Sequence, residues 1–196
     1  MKTINCLLFS MLAIALLMGI ASGTAAAQAV TNTGDNSIYF VSYFSNNVAA
    51  APDATVRFIN DGDTGGNLWA AFYVFDDSQE LTECCACQIT PDGLLSESVK
   101  TQLTAAPITG KVPTRGVIKV ISSSSNDPTN VIPTAGLRGW ATHIQGPTKN
   151  VYSITETMFA DSNLINSEKV LLQNLCYYDA LLSGLPCTCT PEDHDF

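Results

Sequence analysis

Six of the seven cysteines fall in two tight clusters, Cys84-Cys85-x-Cys87 and Cys176…Cys187-x-Cys189. Thiols so placed can bond to one another, hold a metal or run redox chemistry. Six cysteines allow 15 pairings, and spacing does not choose among them. A bond between neighbours such as Cys84 and Cys85 closes a strained eight-membered ring, so bonds between the clusters are the easier solution. A bond such as Cys87 to Cys176 would close a loop of about 90 residues and remove on the order of 4–5 kcal/mol of unfolded-chain entropy. Structural zinc prefers paired C-x₂₋₄-C knuckles. The C-C-x-C and C-x-C spacings fit that poorly, so the sequence predicts disulfides at Cys84, Cys85, Cys87, Cys176, Cys187 and Cys189, with no metal and no cofactor.

Carboxylates are the second reactive set. Asp76, Asp77, Glu80 and Glu83 lie within eight residues, and a carboxylate pair could hydrolyse a glycosidic bond. The plainer expectation is a capping box, Asp77 as N-cap and Glu80 as its return partner, opening one helical turn into Cys84. Asn60, Asp61, Asp63 and Asn67 are oxygen donors in a Gly-rich loop that could hold Ca²⁺. The EF-hand pattern fails there, since counting from Asp61 the fifth position is Gly65 and the twelfth Phe72. Glu156 shares a strand face with Tyr152, Ile154 and Met158. A hairpin turning at Pro147–Thr148 would set His143 opposite Tyr152 and Glu156 opposite Gly139, leaving His143 and Glu156 about 13 Å apart along the strands, too far for a dyad. Trp69, inside the most apolar run, is expected in the core. Trp140, beside Arg138 and Gly139, could stack on a sugar ring. Trp140, Glu156, Asp61 and Asp63 are therefore the candidate ligand-binding residues. No G-x-S-x-G, H-E-x-x-H, G-x-x-x-x-G-K or G-x-G-x-x-G pattern occurs, and no catalytic residue is assigned.

The elements that must carry these residues are mostly strands. Ser37–Phe44 is β-branched and aromatic on both faces, Ala54–Asn60 alternates, and Leu68–Phe75 is a continuous apolar run suited to a central strand. Asp61–Asn67 and Thr90-Pro91-Asp92-Gly93 are turns. Gly116–Ser122, Leu137–Ile144 and Val151–Phe159 complete the strands, the last two joined by Gln145–Asn150. One helix is expected over Ser167–Tyr177, capped by Asn166, carrying Val170, Leu171, Leu172, Leu175 and Tyr178 and ending near Ser183-Gly184. The pattern predicts a mainly β fold, a two-sheet antiparallel sandwich with one short C-terminal helix at an end or edge, linked by disulfides.

At the N-terminus, Lys2, the unbroken apolar run Cys6–Ile20 and the small residues Ala21–Ala29 make the three parts of a secretory signal, with cleavage after Ala27 or Ala29. The expected domains are a signal peptide, 1–29, and a single β-rich extracytoplasmic domain, 30–196. The expected location is secreted or periplasmic, where thiols oxidise. The mature chain has no apolar run long enough for a transmembrane span. The chain holds 9 basic against 18 acidic residues, a net charge of −9, which argues against nucleic acid as a partner. An extracellular or envelope protein or glycan is the partner class left open.

Phe75-Asp76-x-x-Gln79-Glu80-Leu81-x-Glu83-Cys84-Cys85-x-Cys87, Thr90-Pro91-Asp92-Gly93-Leu94, Gly116-Val117-Ile118-Lys119-Val120, Thr155-Glu156-Thr157 and the terminal Cys-x-Cys resemble a family of uncharacterised secreted bacterial proteins. The resemblance runs from about Ala54 to Cys189 and implies export, a bacterial host and a shared fold. It assigns no activity. The expected function is that of a non-enzymatic exported structural or binding protein of the cell envelope or medium. The alternatives are a secreted, glycosidase-like hydrolase using acidic residues and a carbohydrate- or calcium-binding accessory module.

Overall fold

The computed structural model describes residues 37–183 and 187–190. The expected signal peptide, 1–29, and residues 30–36, 184–186 and 191–196 lie outside them. Nine antiparallel strands form two sheets. They are β1 (Tyr39–Phe44), β2 (Thr55–Asn60), β3 (Leu68–Asp76), β4 (Leu81–Ile89), β5 (Leu94–Ser98), β6 (Gly116–Ser123), β7 (Leu137–Thr148), β8 (Val151–Met158) and β9 (Ala160–Asp161). The first sheet has the order β4-β3-β6-β1-β9 and the second β5-β2-β7-β8. A single π-helical turn, Val99–Leu103, follows β5, and one α-helix, α1, covers Asn166–Ser183.

Alternation explains which residues meet between the sheets. Val56 and Phe58 of β2, Leu95 of β5, and Leu137 and Ala141 of β7 point inward from the second sheet. They pack on Phe40, Phe44, Phe72, Val74, Ile118 and Val120 of the first. Phe58 makes edge-to-face contacts with Phe40 and Phe72, with centroids 5.6 and 5.7 Å apart. Gly139 of β7 lies under that ring, where a Cβ would come within 2.3 Å of it. A second apolar layer covers the outside of the first sheet. Tyr39, Ala71, Tyr73, Phe75, Cys84 and Ile121 pack there against Leu164, Leu172 and Cys176.

Several sequence expectations are corrected. No helical turn leads into Cys84. Asp76 Oδ1 instead accepts from the amides of Ser78 (2.8 Å) and Glu80 (3.0 Å), and Gln79 takes a left-handed φ of 69°. That closes a β3–β4 hairpin in which the carboxylate caps a turn. The β7–β8 register also differs. His143 pairs with Thr155 and Glu156 with Thr142, because the hairpin turns over Lys149 and Asn150. Asn150 accepts φ 63° there, whereas Pro147, which cannot donate to the ladder, falls in a register shift. Trp69 is half-buried, on the face of β3 turned away from the sheet–sheet core. The helix lies over the outer face of the first sheet on its β4 side, and Leu171 points away from it, 49% exposed.

Candidate functional site

The cysteine clusters are joined by three bonds, Cys84–Cys176, Cys85–Cys187 and Cys87–Cys189. Cys176 thus pairs with Cys84 and not with Cys87. The reason lies in strand alternation. Cys84 faces outward from β4, where α1 brings Cys176. Cys85 and Cys87 face inward, where the segment 187–190 brings Cys187 and Cys189. The sulfurs of Cys85 and Cys87 are 3.9 Å apart. Among the described residues, Cys85, Cys87 and Cys189 are the group with metal-ligand proximity, but bonded sulfurs are not thiolates.

Two buried carboxylates stand beside this seam. Glu97, fully buried on β5, accepts hydrogen bonds from the Thr190 amide (2.8 Å) and hydroxyl (3.0 Å). Burial raises its pKa, against the pull of those two donors. Glu97 therefore latches the residue after Cys189 across the open edge of the sandwich. Glu83, 1% exposed on β4, accepts the Ala106 amide through Oε1 at 2.7 Å. Its Oε2 has no hydrogen-bond partner among the described residues. Burial pushes the Glu83 pKa up to about 7; the Ala106 amide opposes the shift and the Asp179 charge adds to it. Asp179 itself is buried on α1, with Oδ2 3.5 Å from Cys84 Sγ. A cavity of about 380 Å³ opens here, lined by Cys84, Cys176, Asp179, Asp127 and Pro128 among others. The roles of Glu97 and Thr190 are not among the sequence expectations. Their signal lies in Leu94–Ser98, where burial alternates and Leu95 and Glu97 share the inward face of β5.

The carboxylates Asp76, Asp77, Glu80 and Glu83 do not converge. Asp76 caps the hairpin. Asp77 pairs with Arg115 at 2.7 Å, which holds its carboxyl below the usual range. Glu80 is exposed and Glu83 is inside. Asp61 pairs with Arg138 at 3.2 Å and also accepts the Asp63 amide at 3.3 Å. Asn60 is turned to Gly66 and Ile89 carbonyls. Asp63 is exposed.

Trp140 and Glu156 are brought together. Trp140 stands opposite Arg57 on one side and Met158 on the other. Glu156 forms an ion pair with Arg57. These four residues share the outer, solvent-facing side of the second sheet, with Glu156 exposed and not sunk among apolar neighbours. His143 lies on the opposite side of β7. Its Nδ1 meets the Tyr43 carbonyl at 3.1 Å and its Nε2 the Thr157 hydroxyl at 2.7 Å. A carbonyl only accepts, so Nδ1 carries the proton and Nε2 accepts from Thr157. Burial lowers the His143 pKa, against the pull of the Tyr43 carbonyl. The arrangement is that of a structural histidine.

No family model matches the chain, and no curated protein matches it. A solved structure, described as the crystal structure of Thermotoga maritima 1070, is similar at 12% identity with a TM-score of 0.43. The match covers 64% of this chain and 93% of that one. No helix among the described residues is long and apolar enough to cross a membrane. Three disulfides are compatible with an extracytoplasmic protein.

Proposed function

We propose that the chain is a non-enzymatic exported protein, a structural or binding module of the bacterial cell envelope or medium. On this reading it belongs with the secreted family that its FDxxQELxECCxC block and terminal CxC resemble. The observation that carries the reading is the fastening of the C-terminal segment. Three disulfides tie α1 and residues 187–189 to one strand, and the buried carboxylate of Glu97 is spent on the latch to Thr190. Such a chain is built to persist in an oxidising medium. The hydrolase alternative loses support, because its carboxylates are dispersed among a turn cap, one surface ion pair, one exposed side chain and the core. The test is expression in a bacterial host followed by fractionation. Recovery of processed protein outside the cytoplasm, without hydrolysis of a panel of polysaccharides, supports the reading. Retention of the full-length chain inside the cell or robust hydrolysis overturns it.

A second reading has an observation of its own. Trp140, Arg57, Glu156 and Met158 form one platform on the outer side of the second sheet, with Trp140 and Arg57 partly exposed and Glu156 and Met158 exposed, a ring flanked by a charged pair, suited to stacking and hydrogen bonding on a glycan. Titration of tryptophan fluorescence with soluble polysaccharides tests it. A saturable change that Trp140→Ala removes favours the accessory module. No response to any polysaccharide sinks it.

A further inference from the structure

The helix α1 carries two apolar faces, and the sandwich uses one. Leu172 and Cys176 are buried against the first sheet, with Leu175 partly so. The opposite face holds Val170, Leu171, Tyr177, Tyr178, Leu181 and Leu182, between 43% and 76% exposed. Leu171, Asn174, Tyr178 and Leu181 recur at spacings of three, four and three, the a and d positions of a heptad seam. Asn174 is the polar member and is also exposed. An apolar stripe this continuous on a helix fixed by a disulfide marks a contact surface.

We propose that this face pairs with the same face of a second copy of the chain, the two α1 helices running antiparallel. Charge is the first reason. In a chain of net charge −9, the one charged residue between Val170 and Ser183 is Asp179, and it is buried on the other face. Two copies therefore meet there with the least repulsion. Self-complementarity is the second. Antiparallel packing about a two-fold between residues 174 and 178 sets Leu171 against Leu181 of the other copy. The same layer order sets Asn174 against Tyr178, so the polar residue meets a hydroxyl instead of a leucine. One mismatched polar layer of this kind fixes register and orientation. Extent is the third. Eighteen residues span about 27 Å, and a contact of that length sits at the low end of the roughly 1,200–2,000 Å² typical of stable interfaces. The dimer is thus one that dissociates on dilution. A lipid surface fits less well, because helices that lie on membranes carry several Lys or Arg on the polar face. Here Lys169 is the one basic residue of the helix, and its other face is already docked. The proposal does not rest on the non-enzymatic reading above, since a hydrolase could dimerise in the same way.

Sedimentation of the exported, fully oxidised protein over roughly a hundredfold range of concentration is the test. The expected result is a reversible monomer–dimer equilibrium. Leu181→Glu should weaken it at least tenfold while near-ultraviolet circular dichroism and the absence of free thiols stay unchanged; Leu171→Glu serves if that chain misfolds. Leu171→Glu combined with Leu181→Lys should recover association, because antiparallel pairing sets the new charges opposite each other. Failure of the double variant to recover overturns the antiparallel register. Monomer at every concentration, or a dimer indifferent to Leu181→Glu, overturns the proposal. So does a monomer that floats with phosphatidylcholine vesicles and loses that binding in Leu181→Glu, which would assign the face to lipid.

Discussion

Glu83 is a carboxylate whose chemistry departs far from its sequence context. A carboxylate with one hydrogen-bonded oxygen and one buried oxygen that has no partner among the described residues prefers to be neutral. Its pKa rises from an ordinary 4.5 to about 7 on folding, so the folded state binds the proton more tightly than the unfolded one. The stability this contributes is complete below about pH 4.5 and is lost as pH rises through 7. We expect Glu83→Gln to be more stable than the parent at pH 8, by up to about 3 kcal/mol at 1.36 kcal/mol per pKa unit. The difference should close towards pH 4.5. Urea unfolding of both proteins across that range decides it, and a gap independent of pH would refute the assignment. Taking the difference matters because His143 acts the opposite way. Its lowered pKa favours the folded state above pH 6.5 and withdraws that preference as the ring is forced to charge. Gly139 supplies a purely steric prediction. A Cβ at that position would strike the Phe58 ring at 2.3 Å. Gly139→Ala should therefore cost about 1–3 kcal/mol, as overpacked cores do, readable as a lowered urea midpoint.

At the scale of elements, the informative quantity is face. Cys84 and its neighbour Cys85 point to opposite sides of β4, so one bonds to a helix and the other to a tail. This parity was available in the sequence, but only to a reader who already had the strand. The capping-box reading of Asp77 and Glu80 concealed β4. The strands with clean patterns, Ala54–Asn60 and Gly116–Ser122, were legible, as were the sandwich class and the C-terminal helix. The β7–β8 register was not, because Pro147–Thr148 and Lys149–Asn150 both carry turn residues and tertiary packing chooses between them. The platform of Trp140, Arg57 and Glu156 was half legible. Both Trp140 and Glu156 stood out as candidates, but Arg57 joins them only through the β2–β7 pairing. The bonds also predict non-additive stabilities. With Cys85–Cys187 intact, removing Cys84–Cys176 reopens a ring of about 14 residues, and removing Cys87–Cys189 one of about six. The chain-entropy model assigns these about 3 and about 2 kcal/mol, against more than 4 for a lone loop of about 100 residues. Paired Cys→Ser variants, compared by urea unfolding, should show each single loss to be smaller than the loss on removing the last remaining bond. Equal increments would mean that the bonds act through native contacts and not through chain entropy.

For the whole molecule, the order in which the parts become stable follows from where the apolar contacts lie. The space between the sheets is filled by the sheets themselves, from Phe40, Phe58, Phe72 and their neighbours. The contacts of α1 are fewer, with Leu172 fully buried and Leu175 partly so. At about 1.5–3 kcal/mol for each fully buried side chain, that is small against roughly 1–2 kcal/mol of backbone entropy for each of the 18 residues ordered. The hydrogen bonds within the helix return only part of the difference. The helix should therefore dock when Cys84–Cys176 tethers it and be released when the tether is cut, while the sandwich survives. On the secretory reading this separates two stages, sheets first and helix after oxidation outside the cytoplasm. The processed protein, beginning at Gln28 or Val30, should carry no free thiol under denaturation. Amide exchange on that protein, with and without a strong dithiol reductant, follows the two stages directly. Protection of Asn166–Ser183 should fall to near zero on reduction, while the amides of β1, β3 and β6 remain slow. If the helical amides stay protected in the fully reduced protein, the outer face of the first sheet holds α1 unaided. If instead every strand opens together with the helix, the bonds belong to the core of the fold and not only to its C-terminal fastening.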